Sequence, residues 1–421
     1  MNTSRILSLL IFTLVIGGLT AVNGAVVLLA LPFTLYLAAG LLARPDAPRL
    51  EATRTLTPDR VLVGEPVTVH LTLTNRGAAL ADLHLRDALP EGLTPRDGAT
   101  AWLLALEAGA TQTFTYTLSG LRGIYHLSHC EAVVRDGLGL LRQTTVLPAA
   151  HDLFVLPSRA ALKQIDIRPR RTRVYAGTIA ARIGGTGTDF FGVRAYQQGD
   201  ALRRINWKAS ARRPDEWFTN EYEQERVADV GIILDARAIS NAPHGQGESM
   251  LEQSIAATTL LVDAFINQGN RVALLIYGHI LDYTLPGYGK LQREKLLHAL
   301  AGARLGATTV FAELRALPTQ LFPPQSQIVF VSPLLPDDAP FLRRLRAYGY
   351  QVLVVAPNPI SYEVNQLSDK PAVAFAARAA RLERGLLLRQ LQQAGIYVLD
   401  WDTAKPFDEV VGTRLRATLM T

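Results

Sequence analysis

The sequence predicts a multi-domain chain. It comprises a hairpin of two transmembrane helices over residues 1–45, an antiparallel β-sandwich over 50–148, a basic linker over 149–226 and a doubly wound α/β domain over 227–421. Three observations carry this. Two uncharged apolar runs open the chain, apolar and polar residues then alternate with the two-residue period of strands, and after Val227 short apolar runs alternate with helical patterns.

At 421 residues the chain has room for two or three cores, and its 48% hydrophobic and 19% charged residues exclude a disordered class. Cys130 is the single cysteine, which excludes an intrachain disulfide framework and fits a reducing compartment. No low-pKa context surrounds it, so it reads as a small buried hydrophobe.

The first apolar run, Ile6 to Val22, and the second, Ala25 to Ala43, flank the turn signal Asn23-Gly24. Each approaches the about 20 residues a bilayer-spanning helix needs. A cleaved signal peptide would require polar sequence after the first run, and a second apolar run follows instead. Arg5 precedes the pair, and Arg44, Arg49 and Arg54 follow it. The positive-inside tendency therefore predicts a cell-membrane protein, anchored in lipid by its hairpin, with the remaining domains in the cytoplasm.

From Leu50 to Val146 the alternation is clearest at Val67, Val69, Leu71 and Leu73, which share one strand face. Further strand-like runs at Asp82–Leu85, Thr111–Leu118, Tyr125–Val134 and Leu140–Val146 complete an antiparallel, immunoglobulin-like sandwich. His126, His129 and Cys130 cluster in sequence, but an offset of three on a strand puts the two histidines on opposite faces, so no metal is expected there.

In the α/β region, buried strands are predicted at Val230–Leu234, Val272–Tyr277, Ile328–Val331, Val352–Ala356 and Tyr397–Leu399, with an antiparallel edge at Leu281–Leu285. Helical patterns lie at Glu248–Asn267, Leu291–Leu300, Pro340–Ala347 and Ala379–Ala394. Ligands of such sheets gather beyond the carboxyl ends of the strands, which directs attention to Asp235, Arg237, Ser332 and the loop Gly306-Ala307-Thr308-Thr309.

This arrangement resembles a von Willebrand factor A domain, in which an Asp-x-Ser-x-Ser turn, a loop threonine and a later aspartate bind a divalent cation. Here the turn reads Asp235-Ala236-Arg237-Ala238-Ile239, so both serines are lost, and Ser332 stands near the place of the later aspartate. A hard cation needs several oxygen ligands and is repelled by a neighbouring guanidinium, so no metal and no cofactor are expected. One reading makes Asp235, Arg237, Thr308, Thr309 and Ser332 a partner-binding loop region, with Arg237 as a fixed charge that receives a partner's carboxylate. The other leaves Arg237 a solvated loop residue.

The segment between the two domains contains Asp189-Phe190-Phe191-Gly192-Val193-Arg194-Ala195-Tyr196, then Gly199-Asp200, then Arg203-Arg204-Ile205-Asn206-Trp207-Lys208-Ala209-Ser210-Ala211-Arg212. Its fixed aromatic and charged positions closely resemble the signature of the bacterial domain-of-unknown-function 58 family. The likeness extends to the paired apolar helices, the sandwich ending at Arg135-Asp136-Gly137-Leu138-Gly139-Leu140 and the A-type domain. It implies a companion of MoxR-type AAA+ ATPases that assembles or matures other proteins at the envelope, and it implies no enzymatic activity.

Arg159 to Arg213 holds 13 Lys/Arg against 3 Asp/Glu, an excess of +10 that exceeds the chain's +6. Concentrated charge of this kind attracts anionic lipid, an acidic protein surface or nucleic acid, the last disfavoured because no nucleic-acid module is matched. A purely structural role, with Arg194, Asp200, Arg203, Arg204 and Trp207 clamping the linker through ion pairs and stacking, stands beside these.

Gly184-Gly185-Thr186-Gly187 lacks a following Gly-Lys-Ser/Thr and reads as a turn rather than a phosphate loop. Asp400 and Asp402 read as solvated neighbours at a strand end. The expectation is a non-catalytic scaffold. A metal-dependent ligand-binding module and a hydrolase using Asp200 and Lys208 are the alternatives.

Overall fold

In the computed structural model of the protein, the described residues are 3–22, 24–42, 48–135, 142–157, 172–213, 215–241, 249–306, 314, 317–318, 321–367 and 371–411. The chain divides into two compact units, Met1–Leu156 and Pro157–Thr421.

The first unit begins with helices α1 (Thr3–Thr20), α2 (Gly24–Leu28) and α3 (Ala30–Leu42). The expected pair of transmembrane helices is not borne out: among the described residues no helix is long and apolar enough to cross a membrane. The first turn of α1 is Thr3-Ser4-Arg5, so its apolar stretch, Ile6–Thr20, spans about 22 Å against a hydrocarbon core of about 30 Å. The second run is interrupted between α2 and α3. Pro32 has no N–H to donate to the Leu28 carbonyl, so the hydrogen-bond ladder loses a rung at this junction, and α3 has 13 residues. Gly18 on α1 lies against Val27 of α2 so closely that a methyl group there would overlap the Val27 side chain.

Nine strands follow: β1 (Leu50–Thr57), β2 (Arg60–Leu62), β3 (Val67–Asn75), β4 (Leu80–Asp87), β5 (Leu93–Asp97), β6 (Ala101–Leu106), β7 (Thr111–Gly120), β8 (Gly123–Arg135) and β9 (Arg142–Leu156). They form a four-stranded sheet, β1-β3-β7-β5, and a five-stranded sheet, β2-β9-β8-β4-β6. Leu71 and Leu73 of β3 pack with Leu83 and Leu85 of β4, so the inner faces of the two sheets share a core. Into this core the chain places one charge pair. Arg54 binds Asp87 and also donates to the carbonyls of Leu127 (2.8 Å) and His129 (3.0 Å), while the Tyr116 hydroxyl donates to Asp87 at 2.7 Å. Every group of the pair therefore has a partner, which is the condition under which buried charge is tolerated.

The second unit starts with a long ribbon, β10 (Thr172–Ala195) antiparallel to the outer half of β11 (Phe218–Asp235). The short helix α4 (Trp207–Ser210) lies between them. Gly184 and Gly185, expected in a turn, instead pair with Glu223 and Tyr222 within β10, flanked by register shifts. Beyond α5 (Met250–Asn267), β12 (Arg271–Tyr277), β13 (Leu281–Gly287) and α6 (Gly289–Gly302) come β14 (Gln327–Val331), α7 (Ala339–Ala347), β15 (Gln351–Pro357), α8 (Pro359–Val364), α9 (Pro371–Gln393), β16 (Tyr397–Trp401) and α10 (Phe407–Val410).

The sheet runs β13-β12-β11-β14-β15-β16. Its pairings are parallel except for the edge strand β13, which is antiparallel at the place the sequence predicts. Successive β11 residues face opposite ways. Ile232 joins a core with Leu261 and Phe265 of α5, and Ile233 joins one with Leu342 of α7 and Leu391 of α9. Helices thus cover both faces, and strands buried on both sides read as unbroken apolar runs. Gly231 is required here, because a side chain on it would overlap the ring of Phe322.

Candidate functional site

The central strand β11 ends at Asp235, whose carboxylate is fully buried at the carboxyl edge of the sheet. Arg237 folds straight back onto it. Its Nε donates to Asp235 Oδ1 and its Nη2 to Asp235 Oδ2, both at 2.8 Å, while its backbone N–H donates to Oδ1 at 3.0 Å. The same Nη2 reaches Asp338 at 2.9 and 3.0 Å, and Ser332 Oγ donates to Asp235 Oδ2 at 2.7 Å. The guanidinium therefore lies between two carboxylates and a hydroxyl-bearing loop, with only 2% of Arg237 exposed. Burial works against its charge, yet the hydrogen bonds and charges of Asp235 and Asp338 outweigh that and raise its pKa above the ordinary value.

Three backbone features hold the cluster. Gly306 approaches so closely that a Cβ would overlap the backbone of Gly278, and it exchanges hydrogen bonds with the Asp235 turn through Gly306 N to Ala236 O (2.8 Å) and Ala238 N to Gly306 O (2.9 Å). Leu334 takes φ +66°, a left-handed conformation costly for a branched side chain, and its N–H is held by Ser332 Oγ at 3.1 Å. Asp338 accepts from Leu335 N at 2.9 Å, which fixes the carboxylate toward Arg237.

A second arginine closes the far half of the same edge. Arg384 of α9 donates to Asp400 at the end of β16 (2.8 Å) and to the Pro333 carbonyl (2.7 Å), and Asn358 after β15 reaches Asp400 at 3.2 Å. Asp400 is thus tied down rather than solvated as expected, whereas Asp402 is exposed and accepts from Ala404 N.

Of the residues the sequence proposed for partner contact, Asp235, Arg237 and Ser332 are brought together and buried, so in this conformation none of them offers its side chain to another molecule. Thr308 and Thr309 lie outside the described residues. Asp338, which supplies the second carboxylate, was missed. Its signal was the pair Asp337-Asp338 shortly after Ser332, in the place where a later acidic residue was sought and not found. Among the described residues no group of His, Cys, Asp and Glu is placed to hold a metal. His126 binds Asp152, His129 binds Ser128, and Cys130 is buried, with its thiol pushed up to about 11 by desolvation.

The signature forms the second constellation, at the tip of the β10–β11 ribbon. Arg194 and Asp200 make a two-bond ion pair (2.8 and 2.7 Å), Gln197 N donates to the same carboxylate at 2.9 Å, and Glu221 flanks Arg194 at 3.6 Å. Hydrogen bonding from Arg194 holds Asp200 below the usual carboxylate range. Asn206 caps α4 through Ala209 N and binds Asn220, and Ser210 Oγ accepts from Phe218 N at 2.9 Å. Arg204 stacks over Tyr222 at 5.3 Å. Gly199 adopts φ +109°, which closes the turn before Asp200. Gly192 leaves open space beside the ribbon, and Tyr196 meets Trp217 edge-on. Phe190, Arg203, Trp207, Lys208 and Arg212 are exposed, and the side chain of Asp189 lies outside what is described.

Residues 192–364 match the family model "Protein of unknown function DUF58". The match begins inside the ribbon and takes in Asp200, Trp207, Asp235, Arg237, Ser332 and Asp338. Arg384 and Asp400 lie beyond it. Among curated proteins, the uncharacterized protein YeaD of Bacillus subtilis (strain 168) is 28% identical over 255 residues, covering 59% of this chain and 60% of YeaD. The chain therefore spans less than two thirds of that relative's length.

Two solved structures that match align with about a quarter of the chain. The CARDB domain of the PF1109 protein from Pyrococcus furiosus, in complex with di-metal ions, is 19% identical over 26% of this chain and 96% of its own, with a TM-score of 0.19. The cupredoxin domain of amoB from Nitrosocaldus yellowstonii is 12% identical over 27% of this chain and 89% of its own, with a TM-score of 0.20. At such scores neither fold nor chemistry carries over.

Proposed function

We propose that the chain is a non-catalytic protein-interaction scaffold or adaptor that works with a MoxR-type AAA+ ATPase in assembling or maturing other proteins, and that its second unit is a metal-independent relative of A-type domains. The strand order, 3-2-1-4-5-6 in the domain's own count with an antiparallel third strand, supports the A-type reading. The observation that carries the functional reading is Arg237. A guanidinium held by Asp235 and Asp338 supplies from within the positive charge that a divalent cation would otherwise bring to this edge. The second arginine, Arg384 on Asp400, ties down the other half of the edge where substrates of α/β sheets ordinarily bind.

A hydrolytic role for Asp200 and Lys208 finds less support, since Asp200 is engaged by Arg194 and Gln197 as part of the ribbon's framework. The test uses the full-length chain and a purified MoxR-type ATPase encoded in the same genome. Saturable binding without nucleotide that is insensitive to EDTA is expected. Loss of binding on chelation, or heat from magnesium titrated into the chain alone, would instead favour the metal-dependent module. Absence of binding would remove the ATPase from the account.

A further inference from the structure

The ribbon tip divides the signature into two groups of residues with different duties. Arg194, Asp200, Asn206, Ser210 and Ile205 build it, through the ion pair, the cap, the Ser210 bond to Phe218 N and the burial of Ile205. What this frame holds outward is unusual. Trp207 is 66% and Trp217 52% exposed, with their rings 6.3 Å apart and Leu202 exposed in the same loop. Tryptophan is a residue that folding normally covers, and a loop with this many internal bonds has the means to turn it inward. Arg203, Lys208 and Arg212 are exposed in the same short segment as Trp207 and make no ion pair with a described residue.

We infer that this tip is a docking surface for an acidic segment of a partner protein, with an apolar side chain of the partner seated on Trp207 and Trp217 and its carboxylates on Arg203, Lys208 and Arg212. Trp and Arg are the residues most enriched at the energetic centres of protein interfaces, and a pre-built frame removes the ordering cost of presenting them. Charge decides the class of partner. Between Asp200 and Trp217 five Arg/Lys stand against Asp200, Asp215 and Glu216, and Arg213 is engaged by Glu216 at 3.8 Å. That modest excess, broken by carboxylates, fits discrete acidic side chains better than the continuous run of phosphates in a nucleic acid, which rewards an uninterrupted basic track.

The inference rests on the chain being an interaction module and locates where that module holds its partner. Fluorescence anisotropy of a fluorescein-labelled peptide of Glu-Glu-Leu repeats, titrated with the full-length chain, tests it. A Lys-Lys-Leu peptide, oligothymidylate and phosphatidylserine vesicles serve as competing probes. Selective, salt-sensitive binding of the acidic peptide is expected, weakened about tenfold or more by Trp207→Ala. The charge reversal Arg203→Glu/Lys208→Glu/Arg212→Glu should weaken it similarly, and its exposed positions leave folding intact if Trp207→Ala does not. Equal binding by the variants, preference for oligothymidylate or vesicles, or no binding of the acidic peptide overturns the inference. If both variants still bind the ATPase as the unaltered chain does, this surface is wrong while the scaffold reading stands.

Discussion

Arg237 brings a permanent charge into a place where a charge survives only with partners. Its loss would leave Asp235 and Asp338 as uncompensated buried carboxylates, the arrangement in which removing one member of an ion pair costs most. Arg237→Ala is therefore expected to lower the stability of the second unit by about 3–5 kcal/mol in urea unfolding. The sign of its pH dependence follows from the orphaned acids. Burial raises the Asp338 pKa even beside Arg237, so without its counter-ion that acid is neutralised in the folded state as pH falls, and the deficit shrinks. A loss below about 1 kcal/mol, or one that grows toward acid pH, would show that water rather than Arg237 satisfies these groups.

At the scale of the element, the ribbon tip is held by a pair that titrates. Arg194 depresses Asp200, so the pair's contribution is complete above the ordinary aspartate pKa and disappears only as pH falls through the lowered one. Emission from Trp207 and Trp217, isolated by replacing Trp102 and Trp401 with Phe, should stay constant from neutrality to below pH 4 and then change. In Asp200→Asn the change should be present already at neutral pH.

Elements also show what was legible. The strands of the second unit announce themselves because both faces of a covered parallel sheet are apolar, and β13 because it follows β12 too closely for a crossover. The partners of the buried arginines were hidden for the opposite reason. Asp338 meets Arg237 across 101 residues, a distance at which no periodicity speaks. The apolar opening gives no sign of its own division, since uniform hydrophobicity does not distinguish one long helix from the shorter pieces Gly24–Leu28 and Ala30–Leu42.

At the scale of the whole molecule, the chain is two units with separate cores, with a fully buried arginine–aspartate pair at Arg54 in the first and at Arg237 in the second. Separate cores unfold on their own terms. In differential scanning calorimetry, Arg54→Met should shift one transition and Arg237→Ala the other. A single transition moved by both would mean that the units stand or fall together.

The 18-residue strand β11 belongs to both the ribbon and the buried sheet, a continuous length of about 60 Å. Traction on the tip would be delivered lengthwise into the middle of the sheet, where β12 and β14 grip both sides of the strand in parallel register. Parallel ladders loaded along their length must break many hydrogen bonds at once rather than one after another. The tip is thus one end of a strand bedded in the middle of the sheet, and a pull on it would be resisted by both neighbouring ladders together.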